Sequence, residues 1–288
     1  MKREDNAVAE IIGTVLIFVI VVTLLTAYAS WYVPLQEQRS QQAFYQNAIS
    51  AENELSAKAI QGYSFVQSFP AGISGGFGNT FDTYLSFLNL SYGNFNAKLS
   101  VVLAAGGKTV YDNYTLNFTQ SGIISAYPSS NFLMQMSVND YGSFVTDGSV
   151  FYGPLFIRTS NSSFSLSLVR MSGENFSESS SSSMYVSGTA MYHDFIYFNV
   201  NGSVPYNGTE ATVRSIEMDG MNYTITGPFT KSLEKYIMVN SGMAPASGNA
   251  TVGSYRIILS SDTLMMSLQN PIQLESIGIS YVLCYVSL

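Results

Sequence analysis

Residues 11–33 read IIGTVLIFVIVVTLLTAYASWYV, 23 positions without a charge. As a helix rising 1.5 Å per residue, the run is about 35 Å long, enough to cross a hydrocarbon layer about 30 Å thick with some tilt. It has no polar face, which a helix lying on a soluble domain needs. It is longer than the apolar core of a secretory signal, and no A-x-A cleavage site follows it directly. Trp31 and Tyr32 at its far end carry the amphipathic rings that collect at membrane interfaces. The chain is therefore expected to begin with a basic leader (1–6) and a spanning helix (7–33). Lys2 and Arg3 orient that helix, holding its near end in the cytoplasm and placing everything from Pro34 onward outside the cell.

Downstream, residues 35–61 contain no glycine, and Phe44, Ala48, Ala51, Leu55 and Ala59 recur at helical spacing. That narrow stripe predicts an amphipathic stem helix over 34–62, with Gln41, Gln42, Gln46, Asn47, Glu52, Asn53 and Lys58 largely on its other faces. Glu54 and Lys58 form a favourable i,i+4 pair. Gly62 is a stop signal; Pro34 would kink or break the helix, and the most economical reading is one long helix, Ala7–Gln61. Helix packing is assigned to Ile11, Val15, Phe18, Val22 and Leu25 in the first half and to Phe44, Ala48, Ala51 and Leu55 in the second.

Beyond the helix the pattern changes. Residues 63–81 read as a connector, rich in glycine from Pro70 to Asn79 and without the lysine and Ser/Thr of a phosphate-binding loop. Residues 82–288 alternate short β-rich runs with Gly, Asn and Ser. The segment SFSLSL (163–168) alternates strictly, as a half-buried strand does. Gly106-Gly107 marks a hairpin turn; Ser179–Ser183 reads as a linker or, since β-rich runs flank it closely, as a hairpin tip. Residues 277–286 should be an interior strand. The fold class is thus α+β: a long N-terminal transmembrane and stem helix followed by an all-β, sandwich-like extracellular domain, as one unit or two sub-sandwiches.

Composition excludes much chemistry. Acids exceed bases, for a net charge of −7, which argues against a nucleic-acid partner. One cysteine (Cys284) and one histidine (His193) leave no intramolecular disulfide, no thiolate cluster and no two-histidine metal site. His193 and Asp194 are neighbours in a β-run and point to opposite faces, so they do not make a triad. Asn139, Asp140 and Asp147 lack EF-hand spacing, although a calcium site between loops stays open. No cofactor and no enzymatic role are expected. Nine N-x-[ST] sequons, at Asn89, Asn113, Asn117, Asn161, Asn175, Asn201, Asn207, Asn222 and Asn249, all fall on the predicted outer side. Charged residues are only 11% of the chain, which suits an acidic outer medium.

The segment AVAEIIGTVLIF (7–18), following Lys2-Arg3, resembles archaeal type IV pilins and pilin-like surface proteins. WYVPLQEQ (31–38) and SFSLSLVRMS (163–172) look like a larger pilin-like group with a big β ectodomain. The resemblance implies a leader removed by a prepilin peptidase. It also implies an acidic residue, Glu10, that pairs with a neighbouring subunit's new α-amine, and a homo-oligomer formed through the N-terminal helix. Two forms follow: a subunit of a type IV pilus-like filament, or a glycoprotein that stays in the membrane and displays its β domain on a stalk. An extracellular ligand-binding receptor or surface enzyme anchored by the same helix is the competing expectation.

Overall fold

The computed structural model of the 288-residue chain describes residues 2–74, 80–128, 137–152, 156–160, 162–240, 250–252 and 254–288; of 2–11, 73–74, 80–81, 240, 250 and 252 it describes the backbone alone. A long N-terminal apolar helix precedes a mostly β domain. The helix runs as α1 (Lys2–Ala27), a π-helical segment (Tyr28–Tyr32) and α2 (Val33–Ile60). It does not break at Pro34. A proline in a helix lacks an N–H and its ring crowds the carbonyl four residues back. The wider turn just before it absorbs both, with the Val33 N–H reaching back five residues to the Tyr28 carbonyl. The helix ends at Gly62, whose φ of +73° suits glycine, with the Tyr63 N–H donating to the Lys58 carbonyl at 3.3 Å.

Among the described residues the β domain holds a 12-stranded sheet, a 5-stranded sheet and a two-stranded ladder. The larger sheet is organised by the hairpin of Thr83–Ala105 and Lys108–Pro128. Its turn is Gly106-Gly107, with φ of +55° and +77°, the geometry that follows the natural strand twist. Thr209–Thr226 pairs along the hairpin's other edge.

The smaller sheet runs in the order Phe65–Phe69, Met184–Asn199, Ser276–Ser287, Ser163–Ser172, Ile157–Thr159. The last strand of the sequence is its centre, antiparallel to Met184–Asn199 and parallel to Ser163–Ser172. Two apolar cores lie between these layers. The larger takes Phe95, Leu99, Phe164, Leu166, Val213 and Ile279. The smaller takes Phe44, Ala48, Leu55 and Ala59 of α2 together with Phe69, Leu85, Val169, Met171, Val282 and Cys284.

Three local expectations change. Phe65–Phe69, placed in the connector, is a strand, because Phe65, Gln67 and Phe69 alternate inward and pair with Met184–Gly188. The serine run is not a hairpin tip. Phe176–Ser180 pairs with Thr83–Phe87 in one sheet and Met184–Asn199 belongs to the other, so the run crosses between sheets. Beyond residue 62, where the sequence shows a helical period only at Phe229–Tyr236 and reads otherwise as all-β, a helix forms: α3 (Thr230–Asn240) closes the larger core with Leu233 and Ile237.

Leu55 is fully buried where the helix meets both sheets, whereas Tyr111 stands 75% exposed near the hairpin turn. Leu55→Ala should cost about 2–5 kcal/mol, the range for a large-to-small core change. Tyr111→Ala should stay within about 0.5 kcal/mol, as surface changes do. Denaturant unfolding of the two variants checks both values.

Candidate functional site: an exposed apolar helix and its seat

The helix has two environments. From Ile12 to Tyr32 almost every side chain faces outward: Val15 is 56%, Phe18 67% and Leu25 57% exposed, and Val22 is likewise uncovered. At 1.5 Å per residue this bare length is about 30 Å, the thickness of a bilayer's hydrocarbon. The stretch is long and apolar enough to cross a membrane. Tyr28 and Tyr32 stack at its outer end, rings 4.8 Å apart, beside the exposed Trp31. Lys2, Arg3, Glu10 and Ile11 lie on the described backbone of α1, but their side chains are outside what is described.

The second half is embedded. Phe44, Ala48, Ala51 and Leu55 are buried, and so are Ile49 and Ala59. They pack on the chain's own β domain, so this stripe is already covered before any second copy arrives. Burial begins at Glu37, close to the end of the bare length. Residues 34–62 are therefore not a free stalk but a spine of the domain, which rides next to the apolar segment.

Polar contacts lock the spine in place. The Tyr45 hydroxyl donates to Asp147, as does that of Tyr152 at 3.0 Å, while the N–H groups of Ser149 and Val150 donate to the other carboxylate oxygen at 2.8 Å. Burial alone would raise the Asp147 carboxyl, but these donors outweigh it and bring it down to about 2. Ser56 Oγ donates to the Gly142 carbonyl at 2.8 Å. Lys58 pairs with Glu54 at 2.8 Å and donates to Gln67 at 3.1 Å, tying α2 to the strand Phe65–Phe69.

One contact runs against the usual rules. Glu52, expected on an outer face, is fully buried, because strands cover the helix on more than the one stripe. Beside it lies Asp140, also fully buried. Both oxygens of Glu52 and Oδ2 of Asp140 have no hydrogen-bond partner; Oδ1 of Asp140 accepts from the Gly142 N–H at 2.6 Å. Burial raises the Glu52 carboxyl well above its ordinary range, and the charge of Asp140 raises it further. Burial raises Asp140 as well, opposed by the Gly142 N–H. The pair is held protonated where exposed carboxyls would be ionised. Sequence reasoning missed it because a glutamate in an otherwise polar row carries no burial signal.

The remaining candidates are quickly placed. Asn89, Asn113, Asn117, Asn175, Asn201, Asn207 and Asn222 are all exposed; Asn161 and Asn249 lie outside the described residues. Cys284 is buried in the smaller core, and burial pushes its thiol up to about 12, an inert setting. His193 shares a 3.1 Å hydrogen bond with Ser280, and among the described residues no carboxylate bonds its other ring nitrogen. Among those residues no group of three acidic, histidine or cysteine side chains is placed to hold a metal ion. No protein-family model, curated protein or solved structure matches this chain.

The two kinds of carboxyl at this seam have opposite pH signatures. Asp147 has a lowered folded value, so its stabilisation is present above about pH 4 and is lost as pH falls towards 2. Glu52 and Asp140 have raised folded values, so the folded chain holds extra protons above about pH 4 and stability falls as pH rises. Thermal unfolding from pH 4 to pH 7 should therefore show a falling Tm. Glu52→Gln should flatten that slope and raise the Tm at pH 7.

Proposed function

We propose that this chain is a pilin-like cell-surface protein, structural or adhesive in role, anchored by its N-terminal helix with the β domain outside the cell. The observation that carries this reading is the single continuous helix, bare and apolar over one half and locked into the β domain over the other. Leaving residues such as Val15, Phe18, Val22 and Leu25 in water forfeits about 1.5–3 kcal/mol each. The bare half therefore belongs in a bilayer or against like helices, and a chain resembling archaeal type IV pilins has access to both.

The rigid seat of α2 adds a mechanical consequence. Helices packed side by side through Ile11, Val15, Phe18, Val22 and Leu25 would set the spacing of their β domains directly, with no slack at the joint. A domain of some 200 residues on each helix crowds such an array, which favours the anchored form over the filament. Exposed sequons on the hairpin and its neighbours are compatible with a glycosylated outer surface. In the filament form a prepilin peptidase removes the segment containing Lys2 and Arg3, since dragging each charge through hydrocarbon costs about 3 kcal/mol or more. Glu10 then pairs with a neighbour's α-amine.

Protease added to intact cells should digest the region 89–288 and spare residues 1–6; protection of the β domain in cells without an enclosing coat would overturn the orientation. Mass spectrometry of the mature chain separates the two forms. An intact Met1–Arg3 leader removes the filament. If the leader is cut, Glu10→Gln should lower filament yield while membrane insertion is unchanged.

A further inference from the structure

One face of the 5-stranded sheet changes character where the helix stops. Under α2 that face carries Val169 and Met171 on one strand and their register partners Val282 and Cys284 on the next, all fully buried. The helix ends at Gly62, packed against the His193 ring. Beyond that point the same two strands present Ser165 and Ser167 opposite Gly278 and Ser280. Register extends these rows to Tyr197 and Phe195 on one side and, from Ser165, to Arg158 on the other. The result is an open groove of about 400 Å³, within the roughly 300–1,000 Å³ typical of small-ligand sites.

Its chemistry narrows the occupant. Where this face holds a helix, its floor is apolar; in the groove the floor is hydroxyl and glycine, so a second apolar helix is a poor match. The hydroxyls of Ser165, Ser167 and Ser276 make no hydrogen bond among the described residues, and each can donate and accept. Phe195 and Tyr197 stand 62% and 54% exposed with nearly parallel rings, centroids 6.1 Å apart. Paired, nearly parallel aromatic faces at the wall of a groove offer flat apolar contact area to a ligand. Arg158 forms no ion pair among the described residues, and its guanidinium fork fits a carboxylate. A ligand with apolar C–H ring faces, a rim of hydroxyls and a carboxylate answers all three features.

We propose that this groove binds an acidic oligosaccharide, with Phe195 and Tyr197 carrying a sugar ring, the serine hydroxyls reading its hydroxyls and Arg158 pairing with its carboxylate. The proposal rests on the reading of the β domain as an outward-facing, adhesive surface and names what that surface grips. Gly278 keeps the floor low: a Cβ there would meet Tyr197 at 3.6 Å and Ser165 at 3.9 Å, ordinary contacts that fill the groove without disturbing the sheet.

The test uses the purified full-length chain in a detergent whose headgroup is not a sugar, titrated calorimetrically with trisaccharides of glucuronate, galacturonate and mannuronate and with their neutral counterparts. At least one acidic trisaccharide should bind, and its neutral counterpart at least tenfold more weakly. Arg158→Gln should erase that difference, Phe195→Ala should weaken binding at least tenfold, and Gly278→Val should abolish it, with unfolding temperatures close to that of the unaltered chain. Absence of binding to every acidic trisaccharide, or binding indifferent to Phe195→Ala and Gly278→Val, would overturn the proposal. So would self-association of the sugar-free chain that Phe195→Ala abolishes, since the groove then belongs to a second copy. Because binding is read on purified protein, its failure is separate from failure of the surface reading, which proteolysis of intact cells decides.

Discussion

Phe44, Ala48, Leu55 and Ala59 sit between two sheets that share no strand, and this contact makes one body of the helix and the β domain. Without it the smaller core would lose its central filler. Val169, Met171, Val282 and Cys284 would lose the apolar side chains that α2 sets against them, while Gly142 stays beside Val169 and Gly122 beside Met171. The seat also decides what the rest of the helix can do. Because the join is a packed core, the apolar length from Ile12 to Tyr32 projects as a rigid continuation of the domain.

That seat contains its own liability. A carboxyl pair, Glu52 and Asp140, is enclosed in it with three oxygens unpartnered. At neutral pH such a pair opposes burial; in acid it is neutral and the opposition fades. The chain's sparse charge points the same way, since a surface with few ionised groups relies little on ion pairing. Asp147, at the same seam, shows the contrast: supplied with donors from Tyr45, Tyr152 and the turn N–H groups, it is stable as an anion. Asp140 and Asp147, a few residues apart in sequence, thus behave oppositely: Asp140 is fully buried with a single donor, the Gly142 N–H, whereas Asp147 is half-buried and has several.

The face that holds the helix is also the face that opens into the groove. A sheet face left bare beyond a packed helix would normally be an association hazard. Here the strands change from Val, Met and Cys to Ser and Gly at the level of Gly62, so the exposed part is wettable. Phe195 and Tyr197 depart from that rule, and their nearly parallel exposed rings beside the serine row make the groove a place to look for a ligand.

The sequence by itself determined the elements governed by local periodicity and composition. The charge-free run 11–33, the helical stripe from Phe44 to Ala59, the glycine turn at 106–107 and the alternation at 163–168 each carry a period or a backbone requirement that needs no partner to be recognised. The tertiary structure alone decided what covers what. The stripe meets the chain's own sheets and not a neighbour, Phe65–Phe69 becomes a strand because Met184–Gly188 lies beside it, and the serine run crosses between sheets. Glu52 is buried although its residue type says otherwise. These outcomes depend on pairings between residues far apart in the chain, and no local window contains both partners. The groove is the clearest case: Arg158, Ser165, Gly278 and Tyr197 form one row only because the neighbouring strands of Arg158 and Ser165 fall into register with two strands from distant parts of the sequence.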